Sequence, residues 1–79
     1  MKTTKKQLAN FAIGLIKEVN KTNKNIKVEY QNNNINIWFY AEDLKSCDLI
    51  QLYNNNDLKT NKDKFKKAIL KIRGIIKWK

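Results

Sequence analysis

Histidine is missing from this sequence of 79 residues, cysteine occurs once, and glycine occurs twice. Each scarcity removes a class of chemistry. A lone cysteine, Cys47, cannot close an internal disulfide, and one thiol without histidine cannot build a tetrahedral zinc site. Cys47 is therefore expected as a half-buried, reduced thiol. No cysteine pair, glycine-rich phosphate loop or nucleophile motif is present either, and the only adjacent acid pair, Glu42-Asp43, has nothing beside it to make a catalytic acid and base. The sequence predicts a non-catalytic protein with no metal and no cofactor.

Long apolar runs are also lacking: none approaches the roughly 18 residues needed to span a bilayer. The basic start Met1-Lys2-Thr3-Thr4-Lys5-Lys6, followed by Leu8 to Ile16, has the outline of a signal peptide. Asn10 and Gly14 interrupt it, no small-residue cleavage site follows, and Lys17-Glu18 continues with helical periodicity. A cytoplasmic protein is expected. A chain this short makes one domain, residues 1–79, with a thin core and a few kcal/mol of margin.

Positive charge is abundant. The net charge is +10, with lysine dominant and a single arginine. A bias toward lysine, asparagine and isoleucine points to an AT-rich genome, which raises the lysine count without functional demand. Genome bias does not dictate placement, however, and placement is uneven. Residues 1–27 sum to +6, residues 28–61 to −3 and residues 62–79 to +7. Both ends are basic and the middle is acidic.

Thr4-Lys5-Lys6-Gln7 has capping-box spacing and predicts a helix from there to about Thr22, with Leu8, Phe11, Ala12, Leu15, Ile16 and Val19 on its apolar stripe. Lys6, Asn10, Lys17 and Lys21 cluster on the opposite arc. The period then changes to two. Ile26, Val28 and Tyr30 alternate with polar residues, as do Ile35, Ile37 and Phe39, and Asn32-Asn33 between them suits a two-residue turn. That register pairs Tyr30 with Ile35, Val28 with Ile37 and Ile26 with Phe39, so every apolar pair lands on one face. It leaves Trp38 and Tyr40 outside, with Lys27 across from Trp38. An outward indole there is explained by stacking on a nucleobase, by anchoring a protein interface, or by a covering segment with a cation–π contact from Lys27.

Residues 42–56 read as helix or strand. The strand reading, from about Asp48 to Tyr53, places Ile50 and Leu52 inward and sends Leu49 and Tyr53 outward to join Trp38 and Tyr40. Asn54-Asn55-Asn56-Asp57 is a loop, and Thr60 or Asn61 is expected to cap a last helix. Phe65, Ala68, Ile69, Ile72, Ile75 and Ile76 form its stripe, and Lys62, Lys66, Lys67, Lys71, Arg73 and Lys77 its remaining arc. Gly74 weakens its end, and Trp78 falls among lysines.

The expected architecture is α+β: a helix, a three-stranded antiparallel sheet and a C-terminal helix, with both helices on one face. This order is similar to that of double-stranded-RNA-binding domains, which also have a basic start to the last helix, here the lysines at 62, 64, 66 and 67. The glycine-rich approach to that helix and a histidine in the first hairpin are absent, and no binding residue is carried over.

Two helical lysine arcs side by side imply nucleic-acid binding, with Lys6, Lys17, Lys21, Lys62, Lys66, Lys67, Lys71 and Arg73 as phosphate contacts. Lysine offers point charges without the fork that arginine lays on guanine, so the binding expected is non-specific or shape-based, to DNA or RNA. The bland alternative is a solvated basic face that keeps a small protein soluble. The other functional class is a protein–protein inhibitor or adaptor, of the phage or mobile-element, anti-CRISPR-like kind, acting on a host nuclease or nucleoprotein complex. Its contact set would be Lys27, Trp38, Tyr40 and Tyr53. Membrane-surface binding is disfavoured because the apolar stripe of the last helix is needed in the core. A homodimer is left open by the odd cysteine and the open sheet face.

Overall fold

The computed structural model describes residues 1–40 and 47–74. Helix α1 (Lys5–Val19) begins where the capping box requires it. The Thr4 hydroxyl accepts the Gln7 N–H at 3.1 Å, and the Gln7 side chain accepts the Thr4 N–H at 2.8 Å. Its end comes earlier than the periodicity alone implies. The Lys21 and Thr22 amides donate three residues back, to the Glu18 and Val19 carbonyls, so the expected last residues form a tighter closing turn.

Three strands follow, β1 (Ile26–Tyr30), β2 (Asn34–Tyr40) and β3 (Cys47–Tyr53), in an antiparallel sheet of order β1-β2-β3. The hairpin turns at Asn32-Asn33, with the Gln31 N–H donating to the Asn34 carbonyl at 2.9 Å. The pairs Tyr30–Ile35, Val28–Ile37 and Ile26–Phe39 form as the alternation demands. The strand reading of the ambiguous stretch holds from Cys47 onward, with Ile50 beside Ile37 and Leu52 beside Ile35. Glu42-Asp43 lies outside the described residues, as do Ile75, Ile76, Lys77 and Trp78.

Helix α2 (Leu58–Ile72) is capped three residues before the earlier of the expected caps. Asp57 is the cap; its carboxylate accepts the Lys59 N–H at 3.1 Å. A long-range strap selects it. The first residues lie against the approach to α2, with Thr3 N–H donating to Asn56 and Leu58 N–H donating to Met1, while the terminal ammonium sits 2.7 Å from the Asp57 carboxylate. Asn61 becomes an interior residue, fully buried, donating to the Thr3 hydroxyl at 2.6 Å and the Tyr53 carbonyl at 2.7 Å. It ties the strap, the end of β3 and α2 together.

Both helices cover the same sheet face. Leu8, Ala12 and Leu15 of α1 and Ala68 and Ile72 of α2 close over Ile35, Ile37, Phe39 and Leu52. Thr3 meets Asn61, Phe11 meets Phe65 with ring centroids 5.1 Å apart, and Glu18 meets Arg73, so the helices run side by side in the same direction. Gly14 makes that approach possible, because a Cβ there would come within 3.1 Å of the Phe65 ring. At the far end Gly74 (φ +81°) takes the left-handed conformation that closes a helix. Ile16, expected on the apolar stripe, is instead exposed; it falls on the flank of α1 turned away from α2.

Candidate nucleic-acid interface and the open sheet face

Parallel packing decides where the charges go. On α1, Phe11, Gly14 and Glu18 turn toward α2. At about 100° per residue, Lys6, Lys17 and Lys21 come next to them on the solvent side. By the same geometry Lys62, Lys66 and Arg73 occupy the arc of α2 that borders α1, with Lys67 further round. Two rows of cations thus border the seam where Phe11 and Gly14 of α1 meet Phe65 of α2. Lys6, Lys17, Lys62, Lys66 and Lys67 are all exposed, and no carboxylate among the described residues pairs with them. Lys5 and Lys59 are exposed too, at the start of each helix.

The acids are mostly occupied elsewhere. Glu18 accepts from Arg73 Nε at 2.7 Å and from Lys21 Nζ at 3.2 Å, so these two cations are partly neutralised within the fold. The Arg73 guanidinium, and then the Lys21 ammonium, hold the Glu18 carboxyl below its ordinary value of 4.5, and Glu18 in turn raises Arg73. The terminal ammonium, followed by the Lys59 N–H, holds Asp57 below its ordinary 3.8. A shallow cleft of about 370 Å³ opens here, lined by Glu18, Lys21, Thr22, Lys24, Ile72 and Arg73. Lys24 closes one wall by donating to the Ile72 carbonyl at 3.1 Å, a cation at a helix C-terminus.

Depressed carboxylate values carry a definite sign. Their stabilisation is fully present above the unfolded values and is lost as pH falls through the folded ones. The melting temperature is expected to hold at neutral pH and to start falling as pH drops below 4.5, with Asp57 joining below 3.8. In Glu18→Gln the fall between about pH 6 and about pH 3 should be smaller than in the parent chain; an identical fall would remove Glu18 from the acid response.

Lys71 corrects the sequence reading. It does not stand on the outward arc but is buried, 7 % exposed, with Nζ 2.6 Å from the Asp48 carboxylate and 5.1 Å from the centroid of the Phe39 ring. The signal lay in the strand register. Asp48 pairs with Phe39, on the same inward face as Ile50 and Leu52, and an inward carboxylate needs a cation. Lys64 is turned aside as well, its Nζ donating to the Gln51 carbonyl of β3 at 3.1 Å.

The other sheet face carries Trp38 and Tyr40 of β2 and Leu49 and Tyr53 of β3, as the alternation implies, and neither helix packs on it. Trp38, Tyr40 and Tyr53 are half-buried and Leu49 is 39 % exposed. Lys27 stands opposite Trp38, yet the indole finds a different partner: Nε1 donates to the Glu29 carboxylate at 2.6 Å. Glu29 itself lies 3.8 Å from the Lys27 ammonium. Beside them the Asn36 amide oxygen accepts from Gln51 at 3.1 Å and from Asn34 at 3.2 Å. Cys47, expected half-buried, is exposed at the end of this face.

Among the described residues no cluster of three or more Cys, Asp or Glu could hold a metal ion, and no helix is long and apolar enough to cross a membrane. No family model, curated protein or solved structure matches this chain.

Proposed function

We propose that this chain is a non-catalytic, cytoplasmic nucleic-acid-binding protein of phage or mobile-element type that holds the phosphate backbone along the seam between α1 and α2. One observation carries the reading: two lysine-bearing helices pack in parallel on the same sheet face, leaving Lys6, Lys17, Lys62, Lys66 and Lys67 exposed and without a carboxylate partner among the described residues, while most described acids are engaged elsewhere. A row of ammonium groups neutralises phosphates and reads no base edge, so affinity depends on salt and on backbone spacing more than on sequence. Lys21 and Arg73 belong at the margin of the surface, since Glu18 already draws on both. Lys71 belongs to the core.

The test is fluorescence anisotropy of labelled duplex DNA, duplex RNA and single strands across a salt series. If these five exposed lysines each neutralise one phosphate of duplex DNA, log K against log salt falls with a slope of about −4.5. The preferred strand type names the ligand. A flat slope, or no binding near physiological salt, sinks the reading.

A second reading has its own support, the aromatic sheet face. The Trp38 N–H is held by a carboxylate, and a negative charge beside the ring suits a protein surface better than a phosphate-bearing strand. On this reading the chain is an inhibitor or adaptor that seats Trp38, Tyr40 and Leu49 on a host nuclease or nucleoprotein complex. Loss of capture by a host complex in Trp38→Ala/Tyr40→Ala, with nucleic-acid affinity unchanged, would favour it.

A further inference from the structure

A three-stranded sheet has two edges, and an unpaired edge is a template for another strand unless something blocks it. The two edges here are treated differently. On β3 two of the outward carbonyls are taken by α2: Lys64 Nζ binds the Gln51 oxygen at 3.1 Å, and Asn61 binds the Tyr53 oxygen at 2.7 Å. On β1 the Ile26 N–H is held locally by the Lys24 carbonyl at 3.1 Å, and no described side chain blocks the rest of the edge. The hydrogen bonds from Gln31 N–H to the Asn34 carbonyl and from Tyr40 N–H to the Asn25 carbonyl set the phase of the ladder. With the register Glu29–Asn36 and Lys27–Trp38, the backbone groups of Lys27 and Glu29 face β2. Those of Val28 and Tyr30 therefore face outward, and no described residue bonds to them.

We propose that β1 pairs antiparallel with β1 of a second copy of this chain about a two-fold axis at Val28, joining two sheets into one of six strands. Three observations converge on that occupant. The outward phase is right: Val28 opposite Val28 of the second copy makes a hydrogen-bonded pair, and next to it the Tyr30 N–H meets the Ile26 carbonyl, the Ile26 N–H being held by the Lys24 carbonyl at 3.1 Å. The charges are complementary: the same register sets Lys27 opposite Glu29 of the second copy, twice, at the non-hydrogen-bonded positions where cross-strand side chains lie closest. The exposed apolar surface also lies on this side. Tyr30 is 45 % exposed, and Ile13 and Ile16, 52 % and 44 % exposed, occupy the flank of α1 turned away from α2, above β1. Pairing brings the two α1 flanks to either side of the same axis. Both helical layers then cover one face of the joined sheet, so the basic seams of the two copies point the same way. The pairing stands whether or not those seams bind nucleic acid.

Sedimentation equilibrium in reducing buffer, across a protein concentration series, tests it. The mass is expected to rise from 9.4 kDa toward twice that value. Lys27→Glu sets a carboxylate against Glu29 of the other copy at both positions and should weaken association about tenfold. The double exchange Lys27→Glu/Glu29→Lys restores an opposite-charge pair and should recover the parent affinity to within about twofold. Thermal melts of the single variant check that the fold is kept. A chain that stays at 9.4 kDa at every concentration overturns the proposal. So does a dimer indifferent to Lys27→Glu, or one that the double exchange fails to restore, because either outcome places the contact elsewhere.

Discussion

Replacing Asp48 by alanine should cost about 3 kcal/mol or more, enough to leave a domain of this size largely unfolded at body temperature. The cause is the lysine left behind. Lys71 is buried beside Phe39, and its ammonium is 2.6 Å from the carboxylate that would be removed. Removing Asp48 takes away the hydrogen-bonded counter-charge of a buried cation, and any shift of that side chain toward water disturbs the packing of Ala68 and Ile72 in the core. The reciprocal change is milder. Lys71→Met keeps the stem volume against Phe39, and the Asp48 side chain, 25 % exposed, reaches water. The double variant Asp48→Leu/Lys71→Met, with neither charge, should melt close to the parent or above it. At about 4–8 °C per kcal/mol for a chain of this length, the Asp48→Ala melt should fall by at least about 12 °C. If all three variants melted together, the pair would be a surface contact and Lys71 would return to the set of candidate phosphate ligands.

That pair also marks where sequence reasoning stops. The hairpin was legible because two independent constraints agreed: the alternation of apolar residues on both sides of Asn32-Asn33, and a turn that tolerates only one register without moving Ile37 and Phe39 to the wrong face. The start of α1 was legible because a capping box is local. The start of α2 was not, because Asp57, Thr60 and Asn61 are all competent caps, and Asp57 is selected by the strap of residues 1–3, some 55 positions away in the chain. Lys71 was misplaced for the same reason. A helical wheel ranks it by its neighbours on α2, where it borders the apolar stripe, whereas its direction is set by Asp48 on β3. The Glu29 contact of Trp38 was likewise a diagonal across the sheet, beyond the direct opposition of Lys27 that the register made visible. What was legible, then, is what adjacent residues decide. Of the eight basic residues singled out in the sequence, seven are exposed, and Lys71 is the one that a distant carboxylate pulls inward.

Reversing Lys62, Lys66 and Lys67 to glutamate should lower affinity for the preferred nucleic acid by about a hundredfold to a thousandfold at moderate salt. Each reversal replaces an attraction of about 1 kcal/mol at contact distance in water with a repulsion of similar size, about 6 kcal/mol for the three before screening. A Debye length of about 8 Å removes part of that without removing the contact terms. The three positions are exposed and pair with no described carboxylate, so the melting temperature should stay within a few degrees of the parent. That separation matters, because a variant that lost binding by unfolding would say nothing about the surface. The salt slope should also flatten, by about 0.9 for each phosphate contact removed. If the triple variant binds as the parent does while Trp38→Ala/Tyr40→Ala abolishes capture of a host complex, the lysines serve solubility alone and the working face is the open side of the sheet.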